Sequence, residues 1–279
     1  MNITRLTVYP VKSFKGIDLE QATLTAEGFA WDRRWMLANE QGEFVTQRQV
    51  PALALISVAL TESALVLSHP EAGSIEIALE EPRGPLCEVV VWGDVCKAVE
   101  EPDDVNQWLV SALGEALAGV HLVRFASDFK RPARALDGST APVHFADGYP
   151  LTIGSTGSLA ALNEALESRG QAPVPMERFR PNIVLDCPTP WAENDWALIA
   201  TRDDTIRLAP CKPCQRCRIV TVDQQSADIP APGEPLATLV KLNTQPTRKG
   251  AYFGQNVTIS KGQGATLSLG DEFRVCETR

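Results

Sequence analysis

Much of the chemistry that a chain can announce is missing from this one. Three histidines in 279 residues, His69, His121 and His144, stand far apart, with no HExxH and no Ser-His-Asp signature. A histidine-centred hydrolase is therefore unsupported, and all three read as structural. No GxGxxG follows a strand and no GxxxxGK[ST] occurs, which removes the two common nucleotide-binding loops. No run approaches the roughly 18 apolar residues needed to span a bilayer, and Met1 to Tyr9 enters a strand-like alternation instead of a signal peptide. A cytoplasmic protein without a membrane contact is expected. Internal repeats and low-complexity tracts are also absent.

The composition that remains, 44% hydrophobic and 22% charged, is that of a globular protein of one large domain or two modest ones. Its net charge is −9, and the stretch from Glu62 to Asp104, eleven acidic residues against two basic ones, accounts for all of it. Elsewhere the cations bunch: Lys12 with Lys15, Arg33 with Arg34, Lys130 with Arg131 and Arg134, Arg178 with Arg180, Lys212 with Arg216 and Arg218. Converging bunches make an anion pocket, and scattered ones make a solvated surface. The acidic balance, with no basic and aromatic stripe, argues against a nucleic-acid partner.

Short alternating segments at Ile3–Tyr9, Trp35–Ala38, Phe44–Thr46, Ala64–Leu67, Ile75–Leu79 and Leu86–Trp92 predict a small β domain or barrel. Asp103 and Asp104 open an amphipathic helix that runs toward Gly119, and the unit boundary is placed inside it, giving 1–112 and 113–279. Ala126 to Gly148 lacks periodicity and reads as a long loop, of the kind that lies near a site. A helix from Ser155 to Gly170 follows, then strands at Asn182–Leu185, Trp196–Ile199, Ile206–Leu208, Arg218–Val222, Asn256–Ser260 and Glu272–Val275, with a short helix opened by Pro235. The expected class is mostly β, an α+β protein with few helices.

Seven cysteines include the run Cys211-Lys-Pro-Cys-Gln-Arg-Cys217, expected in a turn leading into the strand Arg218–Val222. A disulfide framework is improbable for an unexported chain. Three readings stay open: a metal or cluster site on all three thiols, buried inert cysteines, or one ligating or nucleophilic cysteine. Lys212, Arg216 and Arg218 favour the last, because neighbouring cations stabilise thiolate. Arg178 and Arg180 are expected on one side of an extended segment, where a guanidinium can clamp an oxyanion. The amides after Gly154-Ser-Thr-Gly offer either an anion site at a helix start or ordinary capping by Ser155 or Thr156.

Six motifs in order, Tyr9-Pro-Val-Lys-Ser-Phe-Lys-Gly16, Asp32-Arg-Arg-Trp35, Val45-Thr-Gln-Arg-Gln49, Arg178-Phe-Arg-Pro-Asn-Ile-Val184, Cys214-Gln-Arg-Cys-Arg-Ile-Val-Thr-Val-Asp223 and Phe253-Gly-Gln-Asn256, resemble the MOSC family, in particular the branch with an N-terminal MOSC β-barrel domain that includes amidoxime-reducing components. The resemblance implies a small N-terminal β-barrel-like domain and a C-terminal MOSC β-barrel domain, with a molybdenum cofactor (molybdenum-molybdopterin) between them. It implies Cys217 as the metal ligand and catalytic cysteine. Lys12, Ser13, Arg33, Ser155, Thr156, Arg180, Gln215, Arg216 and Asn256 are implied as cofactor-binding residues. The implied activity is two-electron reduction of N-hydroxylated compounds such as hydroxylaminopurines, amidoximes or hydroxylamines, the oxygen leaving as water. No ferredoxin module follows the last strand, so a separate electron donor, a ferredoxin or a flavin reductase, is expected, with the acidic stretch as one docking face. The alternative implied by the same family is a non-redox cofactor carrier or sulfur-handling protein.

Overall fold

The computed structural model of the chain describes residues 1–134 and 140–279. The class is mostly β, with three α-helices among the described residues. Eight strands form the larger sheet in the order Ile17–Leu19, Ile3–Val8, Ile183–Leu185, Leu151–Ser155, Tyr252–Lys261, Arg207–Gln215, Trp196–Thr201 and Phe273–Thr278. Five form a second sheet in the order Leu86–Val91, Asp94–Glu100, His121–Phe125, Trp35–Ala38 and Phe44–Val45. The chain therefore starts in the larger sheet, leaves it for the smaller, and returns to the smaller once more after helix Asp103–Leu113. Two three-stranded sheets, Ser57–Leu60 with Ala64–His69 and Gly73–Ala78, and Thr266–Ser268 with Gln21–Thr25 and Gly28–Phe29, complete the halves. Among the described residues no helix is long and apolar enough to cross a membrane.

Each sheet buries its alternating face. Leu6, Val8, Ile153, Ile183, Ile199, Leu208, Val257 and Phe273 fill the core of the larger sheet. Trp35, Leu37, Leu65, Leu67 and Ile77 pack with Val105, Trp108 and Leu109 of helix Asp103–Leu113 in the smaller half. That helix ends at Gly114, where φ of 78° stops it, and residues Glu115–Leu117 turn as a 3-10 segment before Gly119 is reached. The pair Leu151–Ser155 and Ile183–Leu185 is parallel and joined by helix Thr156–Glu167.

Two expectations are corrected. Arg218–Val222 is not a strand: Arg218–Thr221 forms a 3-10 turn, and the strand lies before it, at Arg207–Gln215, carrying Cys211 and Cys214. The run Ala126 to Gly148 is not wholly loop, since Arg131–Arg134 pairs with Thr140–Val143 as a hairpin; residues 135–139 of that expectation lie outside the described residues. The expected loop is real only at its ends, with Phe145 and Ala146 buried and drawn toward the sheet interface.

A buried ion pair supports the smaller half. Arg124 and Glu101 are 1% and 3% exposed. The Arg124 Nε donates to Glu101 Oε1 at 2.7 Å, and its remaining donors reach the carbonyls of Ala78, Leu79 and Glu80. Trp35 Nε1 donates to the same carboxylate oxygen at 2.6 Å. Arg124→Met strands that carboxylate and is expected to cost about 3–5 kcal/mol in urea unfolding. Adding Glu101→Leu should recover a large part of the loss, and a single-variant loss under about 1 kcal/mol would contradict this account.

Candidate active site

Pro10 stops the first strand, and the chain turns through Lys12 and Ser13 above the interface of the two halves. The turn is pinned throughout. Lys12 N donates to Trp35 O at 2.8 Å, Phe14 is fully buried, and Gln47 Nε2 donates to Ser13 O at 2.7 Å. Beside it, Asp32 is 2% exposed, and its Oδ1 accepts from Tyr9 N at 2.9 Å and Asn182 Nδ2 at 3.1 Å. Its Oδ2 accepts from Arg33 Nη1 at 2.5 Å. Asn182 Oδ1 also accepts from Arg33 Nη1, at 3.2 Å, so one carboxylate and one amide aim the Arg33 guanidinium.

Arg180 meets Arg33 over a shared ring. Their guanidinium carbons lie 4.2 and 4.3 Å from the centroid of the buried Tyr9 ring. Arg180 Nη1 donates to Phe14 O at 2.7 Å, while Nη2 is buried without a partner. Burial pushes the Arg180 guanidinium down to about 10, and the nearby Arg33 adds to that effect. The segment is not extended as expected: Met176–Phe179 is a 3-10 turn and Arg180 is left-handed at φ 51°, so Arg178 turns instead to Thr221 O at 2.9 Å and Asp223 Oδ2 at 2.8 Å.

The cysteine segment closes the other wall. Arg216 Nε donates to Phe253 O and Nη1 to Phe179 O, both at 2.9 Å. Gly254 lets strand Tyr252–Lys261 approach Leu151–Ser155 beside this crossing, because its φ is 74° and a Cβ there would stand 2.4 Å from Ile153 O. Cys217 caps the following turn and its residue is exposed; Cys214 is half-buried, and burial pushes its thiol up. Both line the cleft, whereas the Cys211 thiol donates to Asn256 O at 3.3 Å.

The resulting cleft has a volume of about 140 Å³. Among the described residues, Lys12, Arg33, Arg48, Arg178, Arg180 and Arg216 line it against a single carboxylate, Asp147. Six lining cations to one lining anion among the described residues, in a chain of net charge −9, favour an anion in the cleft even with Arg33 and Arg178 paired behind its wall to Asp32 and Asp223. Lys12 Nζ donates to Phe145 O at 2.9 Å and ion-pairs with Asp147; burial lowers its ammonium, and Asp147 opposes that. Three lining residues, Ser13, Arg33 and Arg180, sit at φ of 72°, 46° and 51°, strain of the kind that gathers at functional sites. No histidine lines the cleft, and among the described residues no three of His, Cys, Asp and Glu come together as a metal-holding group.

Comparison with known proteins agrees with this layout. The family profile of the MOSC N-terminal beta barrel domain matches residues 1–116 and that of the MOSC domain matches residues 140–275. The chain is 31% identical to mitochondrial amidoxime-reducing component 1 of Mus musculus, over 96% of its own length and 80% of that protein. The Homo sapiens protein of the same name is 30% identical over 96% and 81%. This chain is a member of the MOSC family. Molybdenum cofactor sulfurase of Oryza sativa is similar as well, 29% identical over 86% of this chain and 30% of the sulfurase.

Of the residues that the MOSC resemblance implied, Lys12, Ser13, Arg33, Arg180, Gln215, Arg216, Cys217 and Asn256 all line the cleft. Ser155 and Thr156 do not. Ser155 is fully buried, its Oγ accepting from Ser158 N at 3.3 Å and donating to Glu193 Oε2 at 2.9 Å, while Thr156 Oγ1 donates to Cys187 O at 3.4 Å. The capping reading holds there. Thr46, Arg48, Asp147, Tyr149, Thr152, Asn182 and Cys214 line the cleft without having been singled out as site residues. Asp147 lies inside the aperiodic segment already expected near a site and Tyr149 just after it, and Arg48 lies inside the Val45-Thr-Gln-Arg-Gln49 motif.

The thiols of this MOSC cleft differ enough to be told apart chemically. Iodoacetamide at pH 8 is expected to modify exposed Cys217 at least about tenfold faster than Cys214, read by peptide mass mapping. Equal rates would show that the two share one environment.

Proposed function

We propose that this MOSC protein is a molybdenum-cofactor-dependent reductase of N-hydroxylated compounds, with hydroxylaminopurines, amidoximes and hydroxylamines as the substrate class. The observation that carries the reading is an exposed cysteine, Cys217, in a cleft lined, among the described residues, by six cations and one carboxylate. A phosphorylated pterin with two dithiolene sulfurs is polyanionic, and a soft metal suits a thiolate, so the donor set fits. The buried, unpartnered Nη2 of Arg180 and Nε of Arg178 support the same fit, because a buried charged donor without a partner is costly until an anion reaches it. The names of the amidoxime-reducing relatives support the reaction class.

In this reading Cys217 ligates molybdenum, and Lys12, Ser13, Arg33 and Arg180 hold the phosphate and the polar edge of the pterin. Gln215 and Asn256 line the flank of the cofactor, and Arg216, held on two backbone carbonyls, keeps its charge beside Cys217. The bound cofactor supplies two-electron redox chemistry at molybdenum. Arg33 and Arg180 are already gathered on Tyr9, so little reorganisation is needed when the anion binds. Electrons come from a separate ferredoxin or flavin reductase, and the acidic run Glu62 to Asp104 is a docking face for a basic donor. A second reading, a cofactor carrier or sulfur-handling protein, draws support from the sulfurase relative.

Elemental analysis and pterin fluorescence on protein made in a molybdate-fed host test the proposal. Near-stoichiometric molybdenum is expected in wild type, Cys211→Ser and Cys214→Ser, with about a tenfold or greater loss in Cys217→Ser. Zinc or iron without molybdenum or pterin, or equal losses across all three variants, would overturn it. Loaded protein that reduces no N-hydroxylated compound with a reduced viologen would favour the carrier reading.

A further inference from the structure

A tryptophan that is not itself a lining residue, but touches Asp147 and Arg48 that are, stands where the backbone is least suited to one. Strands Leu86–Val91 and Asp94–Glu100 are joined by only Trp92 and Gly93, with φ of 54° and 89°. A two-residue hairpin with both central residues left-handed selects Asn, Asp or Gly at the first position, and a bulky aromatic there is an outlier. Trp92 is nevertheless 53% exposed, the most exposed aromatic among the described residues. Burial of the ring therefore does not explain its presence.

Its position is fixed by the residues of the cleft. The indole Nε1 donates to Asp147 Oδ1 at 3.0 Å, the same oxygen that pairs with Lys12. The Arg48 guanidinium lies over the ring, 4.7 Å from its centroid, and Phe44 packs against it at 5.2 Å with the planes tilted by 54°. Arg218, next to Cys217, donates to the Arg48 carbonyl, so the ring is tied to both walls. A strained backbone, a ring held by three partners and half its surface left open describe a surface kept for contact rather than for the core.

We propose that Trp92 is a specificity residue: a stacking platform that receives the flat nitrogen-heteroaromatic ring of a substrate whose N-hydroxyl group enters the cleft. The N–O chemistry rests on the reductase reading above; the stacking does not. Planar, purine-like substrates gain a π-face contact and compact substrates such as hydroxylamine gain none.

The test uses the full chain, loaded with cofactor, as wild type, Trp92→Asn and Trp92→Phe. Asn suits a left-handed turn, so Trp92→Asn is expected to keep Tm within about 4 °C of wild type. It should weaken equilibrium binding of 6-hydroxylaminopurine, read by calorimetry, about tenfold. The ratio of kcat/KM for 6-hydroxylaminopurine to that for hydroxylamine should fall by a similar factor, with Trp92→Phe restoring most of both. Unchanged purine binding in Trp92→Asn, an equal loss for both substrates, or a loss that follows a fall in Tm would overturn the platform. Trp92-dependent purine binding by a wild type that reduces neither substrate would uphold the platform and count against the reductase reading alone.

Discussion

Two guanidinium groups on one tyrosine ring are the constraint from which the rest of the cleft follows. Like charges do not gather in a buried place unless something compels them. Here Asp32 and Asn182 compel Arg33 directly, and the left-handed turn at Arg180 brings the second cation to the same ring. Asn182 also donates to Thr7 O and accepts from Thr152 N, so one amide joins strand Ile3–Val8, the turn at Asp32 and Arg33, and strand Leu151–Ser155. Because Ile3–Val8 belongs to the larger sheet and Trp35–Ala38 to the smaller, the turns between them lie at the seam. The sheet topology thus decides where the cations must meet.

Charge is separated along the chain as well as in space. The acidic excess sits on strands Gly73–Ala78, Leu86–Val91 and Asp94–Glu100, at the start of helix Asp103–Leu113 and in the connections around them, while the cleft takes its cations from segments before and after that stretch. An anion entering the cleft meets a positive pocket in a negative molecule, which lends the site selectivity at distances of about one Debye length. Asp147 is the exception. Its side chain is largely exposed, and the charge of Lys12 with the hydrogen bonds from Lys12 and Trp92 holds the carboxyl well below the usual carboxylate range.

Strand Ile3–Val8 was legible from alternation and Trp35–Ala38 from its short apolar run between turn residues, and so were the helices with a capping residue and a glycine stop. The bunched cations and the aperiodic segment that contains Asp147 were legible as site material too. Ile219-Val-Thr-Val222 misled because β-branched residues favour strands, whereas here Val220 and Thr221 are buried in a turn that serves the cleft. Ser155 and Thr156 misled for a different reason: a helix cap and an anion site have the same local signature, and only the tertiary position of Glu193 and Cys187 separates them. Asp147, Arg48 and Trp92 could not be joined by spacing, since their contacts cross between the halves of the molecule.

Molybdenum X-ray absorption on the loaded protein tests the central claim most directly, because it counts the sulfurs around the metal. Wild type should show three, two from the cofactor and one from Cys217, and Cys217→Ser should show two in whatever metal it retains. An unchanged sulfur count in Cys217→Ser, or a metal with no sulfur from the protein in wild type, would contradict the assignment of this thiol and with it the account of the cleft.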